Sequence, residues 1–209
     1  CESAIAFNAA MGEAPDDPEA MSGFVTDVLE PATATLTSSL PGELEAAGTT
    51  LSDAVDQAAE TGDPSALFGP EGGDARAEIG AAVHEDCDMQ PVEVRAVEYA
   101  FHGAPTTLDA GPTSFQLTNE GVEDHEMVLL ELADGETGTF AELAELPEEE
   151  AMTKVEFTGV AFGGPDSTSY VTADLEAGTY FMVCFIPVGG GEDGPPHFME
   201  GMQQTITVT

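Results

Sequence analysis

Cys184 sits in Tyr180–Ile186, the longest uninterrupted apolar run of the chain. His197 and Met202 follow in Pro195-Pro196-His197-Phe198-Met199-Glu200-Gly201-Met202, and His125 stands earlier, at the head of His125-Glu126-Met127-Val128-Leu129. A thiolate, two imidazoles and a weak thioether make a donor set suited to copper: soft sulfur favours Cu(I), imidazole accepts both oxidation states, and the ion changes charge without changing ligands. Singly, each residue has a plainer reading, with Cys184 a small core residue, His125 a strand-end ring and Met202 packing. Jointly they predict a metal site. A nucleophilic Cys184 would instead want an open thiol beside a base.

Strands must bring these residues together. From Gln90-Pro91 onward, Val92, Val94, Ala96, Val97 and Tyr99 recur among polar neighbours, and Ser114–Thr118 alternates again before the turn Asn119-Glu120-Gly121. His125–Leu132, Ser169–Leu175, Gly178–Ile186 and Gln203–Val208 complete a set of strands separated by Gly, Pro and Asp, which predicts a β-sandwich. Thr139–Met152 interrupts it with helical spacing (Phe140, Leu143, Leu146), a short helical insertion. Tyr180–Ile186 is apolar on both faces, so its outer face needs a cover, either the insertion or the N-terminal half.

Residues before about 87 carry a different period. Asp17-Pro18-Glu19, Leu40-Pro41-Gly42-Glu43 and Asp63-Pro64 each place proline where a helix starts. Met21, Phe24, Val25, Val28 and Leu29 form one helical stripe, Leu44, Leu51, Val55 and Ala58 a second, and Ala75–Glu85 carries Ile79 and Val83. The expected architecture is α+β with two domains: a small helical bundle over 1–88 and a Greek-key β-sandwich over 89–209.

The sandwich and its histidine, cysteine and methionine resemble the blue (type 1) copper proteins, the cupredoxins of plastocyanin and azurin type. The match covers about residues 91–209, and the addition of a helical domain resembles secreted bacterial members. The resemblance implies that His125 and His197 are imidazole ligands, Cys184 the thiolate and Met202 the axial ligand of one mononuclear copper. It also implies that the His197 edge is the ligand nearest the surface and the route for electrons, with Pro195, Pro196, Phe198 and Met199 as an apolar docking patch. Four residues separate His197 from Met202, as in the plastocyanin-type loop. Two features depart from the family. Twelve residues separate Cys184 from His197 where simple members have two to four, the extra length being Pro187–Gly194. Closing so long a loop costs about 1.2 kcal/mol more. Glu126 follows the first histidine where Asn is familiar, so support for the ligands must come from other residues.

Beyond these donors, His84 falls in a predicted helix and His102 in the turn Phe101-His102-Gly103. Both are read as ordinary surface residues without a histidine partner at ligand spacing, so an oxidase-type second centre is not expected and the chain reads as no enzyme. If Cys184 holds copper, Cys1 and Cys87 are left to bracket the helical half. A disulfide between them would contribute about 4.5 kcal/mol in the chain-entropy model and favours an oxidising compartment; a lipidated Cys1 with a free Cys87 is the rival reading. Both place the protein outside the cytoplasm, secreted, periplasmic or at the cell surface, and a start at Cys1 rather than Met suggests an upstream export signal.

Charge narrows the partners. Against 41 Asp and Glu stand 3 Lys and Arg, a net charge of −38 spread over both halves. Nucleic acid is excluded for want of phosphate-binding cations, and a bare anionic membrane would repel the chain. No apolar run approaches the roughly 18 residues of a membrane span. Near-absence of lysine with acid everywhere reads as adaptation to brine, where about 1 M salt shrinks the Debye length to about 3 Å. The expected function is a one-electron carrier serving a redox partner protein. The alternatives are a copper-sequestering or copper-delivery protein, to which Met127, Met182 and Met199 lend weight, and a metal-free cell-surface interaction module. A lipid anchor or self-assembly through the helical domain stays open.

Overall fold

A computed structural model describes residues 1–15, 17–191 and 194–209. The first part is helical: α1 (Glu2–Gly12), α2 (Pro18–Phe24) running through a π-helical turn Val25–Leu29 into α3 (Glu30–Ser38), then α4 (Glu45–Thr61), α5 (Ser65–Phe68) and α6 (Pro70–Asp86). The helix starts follow the expected chemistry. Pro18 opens α2, Pro41 precedes the 3-10 turn Gly42–Leu44 that leads into α4, and Pro64 precedes α5, where Asp63 Oδ1 accepts the Ser65 N–H at 2.9 Å; α4 ends on Gly62 in the left-handed region at φ 68°. The stripes read from the sequence meet in one core of Phe7, Val25, Leu29, Leu36, Leu51, Val55, Leu67, Ile79 and Val83.

Among the described residues nine strands follow: β1 (Gln90–Val97), β2 (Ala100–His102), β3 (Thr107–Leu108), β4 (Gly111–Asn119), β5 (His125–Leu132), β6 (Val155–Gly163), β7 (Thr168–Leu175), β8 (Gly178–Val183) and β9 (Gln203–Val208), with the short helices α7 (Phe140–Leu143) and α8 (Glu148–Met152) between β5 and β6. They form two mixed sheets, β2-β1-β4-β7 and β3-β9-β8-β5-β6, in which β1 runs parallel to β4 and β3 parallel to β9. Phe115, Leu117, Met127, Leu129, Val171, Met182 and Ile206 fill the space between the sheets.

Three details differ from the sequence reading. The strand expected over Gly178–Ile186 stops at Val183, because the next backbone groups bond to the ligand loop: Cys184 N–H to the Met202 carbonyl at 3.2 Å, Phe198 N–H to the Cys184 carbonyl at 3.0 Å and His197 N–H to the Ile186 carbonyl at 2.8 Å. Strand β6 had no strict alternation to announce it, and its pairing with β5 shifts register between Leu129 and Leu130. His84 is half-buried rather than a free surface residue, with Nδ1 2.9 Å from Ser114 Oγ and its ring 5.6 Å from Tyr170.

Two covers seal the sandwich. The insertion lies over the outer face of β8, where Phe140 and Leu143 pack with Val128, Leu130, Phe181 and Val183. The Thr139 side chain and Glu142 form a reciprocal capping box that starts α7. The helical part packs where the two sheets meet, with α6 and α1 against β7 and α1 also against β6, where Gly12 faces the Phe157 ring. There Asn8 Nδ2 donates to Thr172 Oγ1 at 2.8 Å, and Gly80 lets Tyr170 approach so closely that a Cβ at that position would stand 2.6 Å from the tyrosine Cβ. Cys1 and Cys87 form a disulfide with Cα atoms 5.6 Å apart, tying both ends of the helical part together.

Candidate metal centre

His125 opens β5, Cys184 lies one residue past β8, and His197 starts a short 3-10 turn (His197–Glu200) that leads into β9. Strands β8 and β5 are hydrogen-bonded neighbours, so the end of one and the start of the other lie side by side at the same rim of the sheet. The three side chains converge there and are fully buried. His125 Nδ1 is 3.2 Å from His197 Nδ1, and Cys184 Sγ is 3.3 Å from His197 Nδ1. All three donor atoms lie within 4.8 Å of one another, the spread expected of donors that share an ion at about 2.0–2.3 Å each. Met202 is buried in the same core, and its backbone bonds both to Cys184 and to His197.

The outer nitrogens of the imidazoles face carboxylates. Glu98 Oε1 lies 3.4 Å from His125 Nε2, and Glu123 Oε2 lies 3.3 Å from His197 Nε2. A carboxylate at Nε2 favours the proton there and leaves the Nδ1 lone pair for a metal. Neither acid is held by its histidine alone. Glu98 Oε1 also accepts the backbone N–H groups of Val122 at 2.6 Å and Glu123 at 2.9 Å, bonds that hold its carboxyl down at about 2. Glu123 accepts the Gly189 N–H at 2.6 Å and the Tyr99 hydroxyl at 2.9 Å, and is likewise lowered. The Tyr99 ring packs 4.7 Å from the His197 ring.

The loop that delivers His125 is fixed by Asn119. Its Nδ2 donates to the Glu123 carbonyl at 2.8 Å and the Gly163 carbonyl at 2.9 Å, while its Oδ1 accepts the Gly121 N–H at 2.8 Å. Gly121 must be glycine because a Cβ there would press into the Glu98 carboxylate and stand 2.9 Å from His125 Nε2. Glu126, the departure from the familiar Asn, serves the thiol. Its N–H points at Cys184 Sγ at 3.5 Å and its Oε1 accepts the Phe185 N–H at 3.0 Å, so it ties the two ligand segments together. Burial pushes the Cys184 thiol up to about 11, as a dry pocket disfavours a bare thiolate that a cation would stabilise.

His197 does not reach the surface: it is fully buried, with its outer nitrogen on Glu123 and Gly189 of the long loop bonded to the same carboxylate. The extra loop length folds back through the Pro187–Pro196 bridge and the Val188 N–H to Pro195 carbonyl bond at 2.9 Å. Glu192 and Asp193 of that loop lie outside the described residues. The apolar groups near the centre that meet solvent are Phe185, 40% exposed and next to Cys184 in sequence, Met199, 63% exposed, and Pro195, with Pro196 and Phe198 partly exposed. Phe185 belongs to a cluster of rings with Phe140 and Phe198 at centroid separations of 5.3–6.1 Å.

No protein-family model matches the chain, and no curated protein does. Among solved structures, it is similar to the dithionite-reduced auracyanin of the photosynthetic bacterium Roseiflexus castenholzii, at 18% identity over 57% of this chain and 97% of that one, with a TM-score of 0.42. It is similar also to auracyanin B (25% identity, 57% and 88% covered, TM-score 0.39). A third likeness is to auracyanin A, a blue copper protein from Chloroflexus aurantiacus (21% identity, 57% and 99% covered, TM-score 0.36). On its own strands and donors, the chain pairs a helical part with a cupredoxin-like two-sheet sandwich, and the buried His-Cys-His cluster is the donor set of one type 1 copper ion.

Proposed function

We propose that the chain is a one-electron carrier or relay working outside the cytoplasm, with one type 1 copper that His125, Cys184 and His197 would hold together with Met202. The observation that carries the reading is the convergence of two Nδ1 atoms and one Sγ within 4.8 Å in a fully buried pocket. Copper bound there supplies a Cu(I)/Cu(II) couple at a site whose geometry need not change between the two states. Glu98 and Glu123 hold the imidazoles in place, Asn119 and Glu126 hold the segments that present them, and the packed core excludes water. The disulfide supports an oxidising compartment. Among the described residues no helix is long and apolar enough to cross a membrane. The acid-rich surface supports a life in brine, where charge steering is screened and a redox partner is recognised by apolar contact and shape. With the His197 edge sealed, Phe185, Pro195 and Met199 are the apolar groups such a partner would meet.

Metal analysis of the purified protein with its visible spectrum tests the reading. The expected result is one copper per chain with intense thiolate-to-Cu(II) absorption, abolished in Cys184→Ser; a colourless, metal-free native protein overturns it. A second reading, copper storage or delivery, draws on the sealing of both imidazoles from solvent. Reversible electrochemistry with little reorganisation favours the carrier, and ready transfer of Cu(I) to an acceptor favours delivery.

A further inference from the structure

His197 is sealed from solvent, so an electron that enters or leaves through its ring has to cross a neighbouring group. Tyr99 is that neighbour. It stands in the turn between β1 and β2, on the sheet that supplies none of the three buried donors. Among the described residues it is the one ring besides the ligands themselves that packs on a ligand imidazole, with centroids 4.7 Å apart and planes tilted by 49°. One carboxylate fixes both rings: the Tyr99 hydroxyl donates to Glu123 Oε1 at 2.9 Å, and Glu123 Oε2 lies 3.3 Å from His197 Nε2.

The other end of this short path meets water. Tyr99 is partly exposed, and the Glu123 side chain that receives its hydroxyl is 22% exposed. Val122, next to Glu123, is 82% exposed and is held close by its N–H bond at 2.6 Å to Glu98, the residue before Tyr99. The turn that starts at His197 and carries Met199 borders the same residue, since a Cβ on Gly201 would lie 3.8 Å from the Tyr99 carbonyl oxygen. The rival path begins at the thiol. Phe185 follows Cys184 and is exposed, but its ring packs on Phe140 and Phe198 and on neither imidazole. An electron would reach it through saturated backbone bonds, whereas the Tyr99 path crosses one van der Waals contact between two conjugated rings.

We propose that Tyr99 is the electron exit of this chain, its ring bridging the buried His197 ring and an outer-sphere one-electron oxidant at the β1–β2 turn. One electron passes to the oxidant, no bond forms or breaks, and the Tyr99 proton stays in its bond to Glu123. The proposal rests on the carrier reading above and adds the face at which exchange occurs.

The test is stopped-flow oxidation of the Cu(I)-loaded chain by tris(phenanthroline)cobalt(III), with the visible spectrum and reduction potential of each variant measured alongside. Tyr99→Leu removes the ring and is expected to slow oxidation severalfold at an unchanged potential and absorption band. Tyr99→Phe, which keeps the ring and loses the hydroxyl, restores the rate. If Tyr99→Leu does not fold, the exposed Val122→Arg carries the test: at about 0.1 M salt, where charges act over about 10 Å, it slows the cationic cobalt oxidant and speeds anionic ferricyanide, severalfold in each direction. Nuclear Overhauser contacts between the Tyr99 and His197 rings in the metal-free chain are expected as an independent check on the path. The proposal is overturned by a native rate in Tyr99→Leu, by a loss in Tyr99→Phe as large as in Tyr99→Leu, or by a Val122→Arg variant indifferent to the charge of the oxidant. Each of those results leaves the carrier reading standing, whereas a chain without copper or without the thiolate absorption overturns both.

Discussion

Each imidazole of the cluster meets a carboxylate on its outer nitrogen, and each of those carboxylates is itself anchored by backbone N–H groups. Such outer partners typically contribute 10–100-fold to metal affinity. Glu123→Gln keeps the shape but removes the charge facing His197 and weakens the acceptor for the Gly189 N–H and the Tyr99 hydroxyl. The expected outcome is a loss of about tenfold or more in copper affinity, measured by chelator competition, with the far-ultraviolet circular dichroism unchanged. Glu142→Gln, remote in the insertion, serves as the control that leaves affinity alone. At this scale the sequence announced the donors and not their supports. Cys184, His197 and Met202 declare themselves by rarity and by one shared loop, and His125 by heading an apolar strand. Glu98, Tyr99 and Glu123 are polar residues in turns of a chain full of acid, and nothing in their spacing separates them from solvated neighbours. Asn119 was visible as a turn former, yet its two side-chain bonds to distant carbonyls depend on β6, a strand the pattern did not reveal.

Elements set how the rims and covers of the sandwich meet. Helix α7 is only four residues long and owes its start to the capping box of Thr139 and Glu142, in which the Thr139 N–H donates to Glu142 Oε2 at 2.8 Å. That bond to the Thr139 backbone lowers the Glu142 carboxyl below its ordinary value. A depressed carboxylate contributes stability that is present above its unfolded value of 4.5 and is lost as pH falls through the lower folded value. Glu142→Gln should therefore melt below the native chain at pH 7, and the gap should close as pH falls below about 4.5, a comparison made by thermal melts at matched salt. Across the sandwich, Gly80 is the close contact between α6 and β7. Gly80→Ala gains helix propensity worth up to about 1 kcal/mol, but a methyl 2.6 Å from the Tyr170 Cβ forces the helix away. Overpacking costs of about 1–3 kcal/mol win, so denaturant titration should find the variant less stable. Periodicity foretold the helices and the strands β1, β4 and β9, whose residues alternate between drier and wetter faces, while β5 and β7, covered on both faces, showed as runs bounded by turn residues. It misjudged the end of β8, since Cys184–Ile186 is as apolar as a strand but gives its backbone bonds to the ligand loop. It left open which cover lies on β8, because apolar character on both faces states that a cover is needed without naming it; Phe140 against Phe181 at 5.7 Å supplies the answer.

For the molecule as a whole, the charge of −38 on 209 residues sets the terms on which the two packed parts stay folded. Carboxylates cover both parts and the disulfide holds the ends of the helical part, so repulsion acts on the compact state at every scale larger than one element. Repulsion between exposed charges reaches about 10 Å at 0.1 M salt and about 3 Å at 1 M. Partial screening therefore relieves the longest-range terms first, and little is left to relieve above about 1 M. The expected outcome is a melting temperature that climbs steeply from 0.1 M to about 1 M salt and then flattens, in gluconate as well as in chloride, because the response depends on ionic strength alone. Ordinary ion-paired proteins respond weakly, since screening costs them attraction as much as it relieves repulsion; here Arg95–Glu120 and Lys154–Glu136 are the pairs that salt would weaken, both at least partly exposed and worth little. A melting temperature that is flat or falling over that range would show that the acid is mere solubility, and the brine reading would fail while the metal centre stood.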